Sequence, residues 1–258
     1  MSLQSEFAQV ARLGGRAALV TVVRAPDPGP ALASRLLVHA DGRSRGSLGA
    51  EGLDRAAVAH AEELMWAERS QLREERGVGL FVDVVAPPPR LIVLGAVDFA
   101  GALCRMARAA GWRPYVVDPR GRFATPERFP DAEEIVVAWP SEAFARLGGI
   151  DRSTMIVVLT HDPKLDDDAL IAALDSEAGY IGAMGSRRAQ AARRERLLAA
   201  GVSEEALDRV AAPIGLDLGA VTAEETALSI MAEIVATRHG RAGGRLSAAS
   251  GRIHDVGT

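Results

Sequence analysis

Residues Arg90 to Arg120 read RLIVLGAVDFAGALCRMARAAGWRPYVVDPR. The apolar run Leu91–Leu94, with Gly95 directly after it, predicts a strand that ends in a tight turn. Apolar residues then recur at helical spacing, at Phe99, Leu103, Met106, Ala107 and Ala110, and Gly111 closes that helix. Tyr115–Val117 is a second apolar run, and it ends in Asp118. Strand, glycine turn, helix and strand outline a dinucleotide-binding βαβ unit. In such a unit backbone N–H groups and a helix N-terminus face a phosphate, and an acid roughly 20 residues on takes ribose hydroxyls. The fingerprint G-x-G-x-x-G is incomplete. Ala100, in the third glycine's place, preserves close packing of helix on strand. Val97, in the second's place, puts a side chain where backbone should approach a pyrophosphate, and Asp98 adds a repelling charge. The stretch predicts a Rossmann-like fold whose first turn is poorly suited to an ordinary dinucleotide.

Downstream, strands alternate with helices. Glu134–Ala138, Met155–Leu159 and Gly179–Gly182 read as strands. Helices are expected from Ser141, as cap, to Leu147, then over 166–174, 186–200 and 203–210. A last long helix follows the Thr222–Glu225 capping box. This pattern predicts a parallel, doubly wound sheet. Upstream, a short helix reaches Gly14–Gly15, strands cover 17–23, 34–40 and 79–85, and a helix runs from Leu53 to Arg69. Asp41–Gly42 signals a hairpin, 43–52 reads as a small-residue loop, and 86–89 (APPP) reads as a stiff linker. The expected organisation is a small α+β domain over 1–86, a Rossmann-like domain over 90–240 and a loose Gly/Ser/Arg-rich tail over 241–258.

The composition excludes several classes. A chain of 258 residues that is 48% hydrophobic and 25% charged is globular. A net charge of −4 argues against nucleic acid as a partner. Cys104 is the only cysteine, so no intrachain disulfide and no cysteine-based zinc site is expected. Its place on the apolar face of a helix makes it a core residue. The histidines lack i, i+4 pairing, so no metal site is expected. The chain shows no signal peptide and no apolar run long enough to span a membrane; cytoplasm is the default expectation.

In an open parallel sheet, ligands bind beyond the carboxyl ends of the strands. That rule gathers Gly95, Asp118, the loop Thr160-His161-Asp162, and the turn Gly185-Ser186-Arg187, where glycine, a serine cap and an arginine suit an anion. It also gathers the glycine-punctuated loop 212–219, with Gly215 and Asp217. Asp166 reads as a helix cap. Asp167, Asp168, Arg193, Arg194 and Arg196 read as solvated helix faces. No catalytic residue is expected; no nucleophile elbow or Walker loop is present.

Three longer motifs, THDPKLDDDAL (Thr160–Leu170), GYIGAMGSRR (Gly179–Arg188) and PIGLDLGAVTAEETALSIMAEI (Pro213–Ile234), closely resemble the C-terminal Rossmann domain of the XdhC/CoxI family. Residues 17–53 resemble the family's N-terminal domain more weakly. The resemblance implies an accessory protein that binds molybdenum cofactor, a pterin with a phosphate or nucleotide tail. It implies a molybdenum hydroxylase as client, a cysteine desulfurase as a further partner, and a homodimer. Two features depart from the family pattern. Gly95-Ala96-Val97-Asp98 lacks the G-x-G-H of the first turn, and Gly52 stands where the family carries a loop cysteine. No thiolate can therefore ligate molybdenum at that loop. Two other readings stay open: an NAD(P)-binding oxidoreductase on the same fold, and a degenerate paralogue that has lost its ligand and serves in docking, as a non-binding subunit.

Overall fold

Leu91–Leu94 does form a central strand. In the computed structural model, which describes residues 1–250, the chain divides into two compact units, one built on residues 1–87 and one on 88–248.

The first unit contains α1 (Leu3–Arg12), β1 (Ala17–Arg24), β2 (Arg35–His39), β3 (Ser44–Ser47), α2 (Glu51–Trp66), β4 (Gln71–Glu75) and β5 (Val78–Val85). The strands form an antiparallel sheet in the order β3-β2-β1-β5-β4. Alternation sorts its side chains. Ala18, Val20, Leu36, Val38, Leu80 and Val82 are buried with Ala57, Ala61 and Leu64 of α2, while Ala17, Leu19 and Leu37 are buried with Phe7 of α1. Two strands differ from expectation. The loop expected at 43–52 contains β3, and β4 is an unanticipated strand; both are edge strands. Their sequences, SRGS and QLREE, lack a buried face, the charged character that keeps an edge from pairing with other chains.

The second unit runs β6 (Arg90–Leu94), α3 (Asp98–Ala109), β7 (Arg113–Val117), β8 (Glu134–Val136), α4 (Pro140–Leu147), β9 (Thr154–Val158), α5 (Pro163–Leu174), β10 (Tyr180–Ala183), α6 (Arg187–Ala199), α7 (Glu204–Leu207), β11 (Val210–Ala211) and α8 (Ala223–Arg238). Its sheet is parallel throughout, in the order β11-β10-β9-β6-β7-β8. One core packs α3 and α8 on one face, through Leu103, Ala107, Ile230 and Ile234. The other packs α4 to α7 on the opposite face, through Ala143, Leu170, Leu197 and Leu207. The architecture is α/β, with helices on both faces of a Rossmann-like sheet. Cys104 is buried in the first core, and burial pushes its thiol up to about 12.

Three local expectations are corrected. The helix expected at 203–210 stops at Leu207, and Val210–Ala211 pairs with β10. α4 starts at Pro140, with Trp139 rather than Ser141 at the cap, because proline suits the first helical position. α5 starts at Pro163 for the same reason, and Asp162, not Asp166, is its cap. The expected loose tail at 241–258 lies partly outside the described residues; 241–250 is exposed and holds one 3₁₀ turn at Leu246–Ala248. No helix among the described residues is long and apolar enough to cross a membrane.

Candidate functional site

The chain runs outward from β6 to β7 and β8, then returns to the other side of β6 with β9. The switch point therefore lies between the carboxyl ends of β6 and β9, where Gly95 meets Thr160. Gly95 has φ +115°, and a Cβ there would lie 2.5 Å from Thr160 Cγ2, so both conformation and close approach demand glycine. The crevice bounded by Gly95, Asp118, Pro119, Pro140, Thr160 and Leu165 narrows to a cavity of about 10 Å³. That holds about one water. A cavity of that size leaves no room for a ligand wedged between the strands.

Asp118 is buried, and its carboxylate is fully engaged. One oxygen accepts from the Ala96 N–H at 2.9 Å and from Arg120 Nη2 at 2.8 Å; the other accepts from the Arg120 N–H and Nε, each at 2.9 Å. Burial alone would raise this carboxyl's pKa, but the Arg120 guanidinium and the two backbone donors outweigh it and hold the group below its ordinary value. The Ala96 N–H is thus given to a side chain of the protein. Val97 provides no side-chain cap for α3, and the Asp98 carboxylate is exposed beside the turn, paired with Arg128. The first glycine turn has the shape of a phosphate loop, with a carboxylate in the anion's place.

The Thr160 side chain points inward. Its hydroxyl donates to Asp166 Oδ1, and Asp166 Oδ2 accepts from Arg193 Nη2 at 2.6 Å. The same Nη2 donates to the Met184 carbonyl at 3.0 Å, and Nη1 donates to Gln190 Oε1. Gln190 Nε2 donates to the Ala183 carbonyl at 3.1 Å. Asp166 and Arg193 are only 3% and 5% exposed, so neither the cap nor the solvated face expected for them exists. They tie the loop after β9 to the turn after β10. The neighbouring polar positions are paired as well: Asp167 with Arg196, Arg194 with Glu204 and Asp208, and Asp168 with the Ser141 N–H.

That tie holds the second glycine turn. Gly185 has φ +141°, and the Ser186 hydroxyl oxygen caps α6 by accepting from the Ala189 N–H at 3.2 Å. The N–H groups of Arg187 and Arg188 have no intrahelical acceptor, as at any helix start. The first turn of α6 contains no acid, and both arginine side chains are exposed and unpaired among the described residues. His161 and Asp162 are exposed on the adjoining loop; the pKa of Arg120 is raised mainly by its hydrogen bond to Asp118, and to a smaller extent by the charge of Asp162.

Gly215 and Asp217 lie further along, beyond β11. Gly215 is a packing residue: its N–H donates to Glu233 Oε2 at 2.8 Å, and a Cβ would sit 2.5 Å from Ser229 Oγ. Glu233 also accepts from the Tyr180 hydroxyl, whose pKa is driven upward by burial and by that carboxylate. Asp217 is exposed. The structure therefore gathers Gly95, Asp118 and Thr160 at the crevice and holds 185–187 one strand over. Sequence reasoning missed Arg193 and Gln190, whose partners are distant in sequence, and Arg128, which donates to the Ala96 carbonyl. Among the described residues no group of histidine, cysteine or acidic side chains is arranged to hold a metal.

A two-unit protein with a Rossmann-type second domain and an anion-suited turn beside its switch point is the class this geometry defines. Family comparison gives the narrower assignment. The XdhC Rossmann domain matches residues 91–234, and the XdhC and CoxI family domain matches residues 10–75. The chain belongs to the XdhC and CoxI family. It is 24% identical to the uncharacterized protein YqeB of Escherichia coli K12, over 95% of this chain and 48% of that protein. It is 29% identical to a probable xanthine dehydrogenase subunit from Bacillus subtilis 168, over 64% of this chain and 47% of the relative. It is also 29% identical to the molybdenum cofactor insertion chaperone PaoD of E. coli K12, over 59% and 41%. The chain thus spans about half the length of the curated relatives it matches. A crystal structure described as a xanthine dehydrogenase from Bacillus halodurans superposes with a TM-score of 0.62 at 25% identity, covering 90% of this chain and 65% of the other.

Proposed function

We propose that this chain is an accessory protein that binds molybdenum cofactor, through its phosphorylated pterin or nucleotide form, and assists maturation of a xanthine dehydrogenase or CO dehydrogenase type molybdoenzyme. The observation that carries the reading is the start of α6. Two unpaired arginines stand at the positive end of a helix dipole, where cations are disfavoured unless an anion joins them. A phosphate taking the free N–H groups and one guanidinium relieves that repulsion. Gly185 lets the backbone approach, Ser186 fixes the turn, and His161, Asp162 and Asp217 meet the remaining polar groups. Asp118 contributes by fixing Arg120. The family and the relative named as a cofactor insertion chaperone support the same role.

The described residues fit the phosphate end of this group and not its metal end. Cys104 is buried, and Gly52 replaces the loop cysteine. When bound, the cofactor supplies redox chemistry for the client enzyme. This chain binds and orients it and has no turnover of its own. A cytoplasmic homodimer that meets its client, and a cysteine desulfurase, completes the proposal. An NAD(P)-dependent oxidoreductase is disfavoured by Asp118, which occupies the first turn. The reading as a ligand-free docking protein draws on the narrowness of the crevice. Equilibrium binding of cofactor released from a purified molybdoenzyme tests the proposal. Arg187→Ala should weaken binding roughly tenfold or more, as expected for losing a charge-assisted contact. Affinity unchanged by Arg187→Ala would overturn the site.

A further inference from the structure

The second unit holds a larger cavity away from the switch point. Its volume is about 180 Å³, and it lies between α5, α6, α7 and β11, walled by Leu170, Leu197, Leu207 and Val210. The local elements explain it. α7 has four residues and β11 has two, so neither buries enough to close the space beneath α6 at the edge of the sheet. Packed interiors hold few voids larger than a water, whereas an apolar cavity of about 150 Å³ admits benzene. The mouth is at Ala191, which is exposed. The other end is polar, lined by Gln190, Arg193 and Arg194. Arg193 is 5% exposed, and two of its guanidinium nitrogens are engaged. Nη1 donates to Gln190 Oε1, and Nη2 donates to Asp166 and to the Met184 carbonyl. The third, the Nε–H, is buried with no acceptor among the described residues. A buried donor without a partner is costly, and such a group in a folded protein points to an acceptor that joins it. The surrounding charges are already matched. Arg193 faces Asp166, and Arg194 faces Glu204 and Asp208, so two arginines meet three carboxylates.

We infer that this cavity is a binding site for a small uncharged molecule, with an apolar body about the size of a benzene ring and one carbonyl or hydroxyl oxygen. The oxygen accepts from the Arg193 Nε–H, and the body packs on Leu170, Leu197, Leu207 and Val210. Mostly apolar walls with one placed donor are the usual make-up of a small-molecule site. An anion is disfavoured by the third carboxylate, and a purely apolar molecule leaves Nε unpaired. The site is separate from the phosphate reading at the start of α6, and either stands without the other.

The test is methyl NMR of the full chain, with leucine and valine methyls labelled, titrated with benzamide, toluene and benzoate. Benzamide should shift the signals of Leu170, Leu197, Leu207 and Val210 and leave those of Leu19 and Val20, in the first unit, in place. Toluene, which lacks the acceptor, should bind roughly tenfold more weakly, the size of one hydrogen bond to a charged donor, and benzoate should also bind more weakly than benzamide. Arg193→Lys keeps a charge for Asp166 and removes the Nε–H. It should lower benzamide affinity to that of toluene and leave toluene unchanged. Ala191→Phe, at an exposed helical position, should block the mouth and abolish binding of both without moving the unfolding transition, so the test holds even if Arg193→Lys does not fold. No shift at the four cavity residues in wild type would overturn the inference. Equal affinity for benzamide and toluene would show that Nε recognises nothing, and overturn it too. So would tighter binding of benzoate, the mark of an anion site, or full binding in Ala191→Phe, the mark of a site elsewhere.

Discussion

The turns after β6 and β10 begin alike. Each ends a buried parallel strand with a glycine at positive φ, Gly95 or Gly185, and each leads into an α-helix. They differ in what faces the helix start. At α3, the Asp118 carboxylate takes the Ala96 N–H. At α6, Arg187 and Arg188 face solvent with no acid in the turn. The same backbone device is closed by the protein's own charge in one place and left open in the other. A glycine turn alone therefore does not define a nucleotide site; the charge beside it decides whether the turn is closed by the protein or left open to solvent.

The largest expected effect concerns the support beneath the second turn, which ties it to the loop after β9. Asp166→Asn or Arg193→Met strands a buried charge and should cost about 3–5 kcal/mol in denaturant unfolding. The double variant Asp166→Leu with Arg193→Met should recover most of that loss. A single-variant loss below about 1 kcal/mol would show that the pair does not hold the loops.

Asp118→Asn comes next. It keeps the shape but removes the charge, and about 2 kcal/mol should be lost at neutral pH. The sign of its pH dependence follows from the lowered pKa. A depressed folded value means that the carboxylate stabilises fully above its unfolded value of 3.8 and loses this contribution as pH falls through the lower folded value. The gap between wild type and Asp118→Asn should thus be full at pH 7 and shrink below about pH 3.8. A gap constant over that range would contradict the closed-turn description.

The smallest stability effect gives the sharpest contrast. Arg187→Glu puts an acid where the helix dipole favours one and should stabilise by about 0.3–1 kcal/mol, while abolishing phosphate binding. Retained binding, or a clear loss of stability, would show that the two turns do not differ in the way described.

Much of this was legible in the sequence. The apolar runs of β6, β7 and β9 and the caps Ser186 and Thr222 mark themselves locally, through burial on both faces and hydrogen bonds three residues apart. The edge strands β3 and β4 were not legible, because they bury too little to leave an alternating signature. Arg193 reads as surface in a helix dense with arginine; only its pairing with Asp166, 27 positions away, makes it interior. The position of Asp118 at the tip of β7 is legible in the sequence, since the apolar run ends there. That its carboxylate closes the first turn depends on Ala96, 22 residues earlier, and on Arg120 folding back over it.

Gly52 sits in the first turn of α2 with ordinary backbone geometry, and a Cβ built there meets nothing nearer than Arg76 Nη1 at 3.9 Å. The position has room for a larger side chain. Gly52→Cys would add a sulfur beside a guanidinium and a helix start, both of which favour thiolate. A pKa below 8.5 in alkylation of the Gly52→Cys variant, where buried Cys104 stays inert, would show that this helix start can hold a reactive thiolate without any other change.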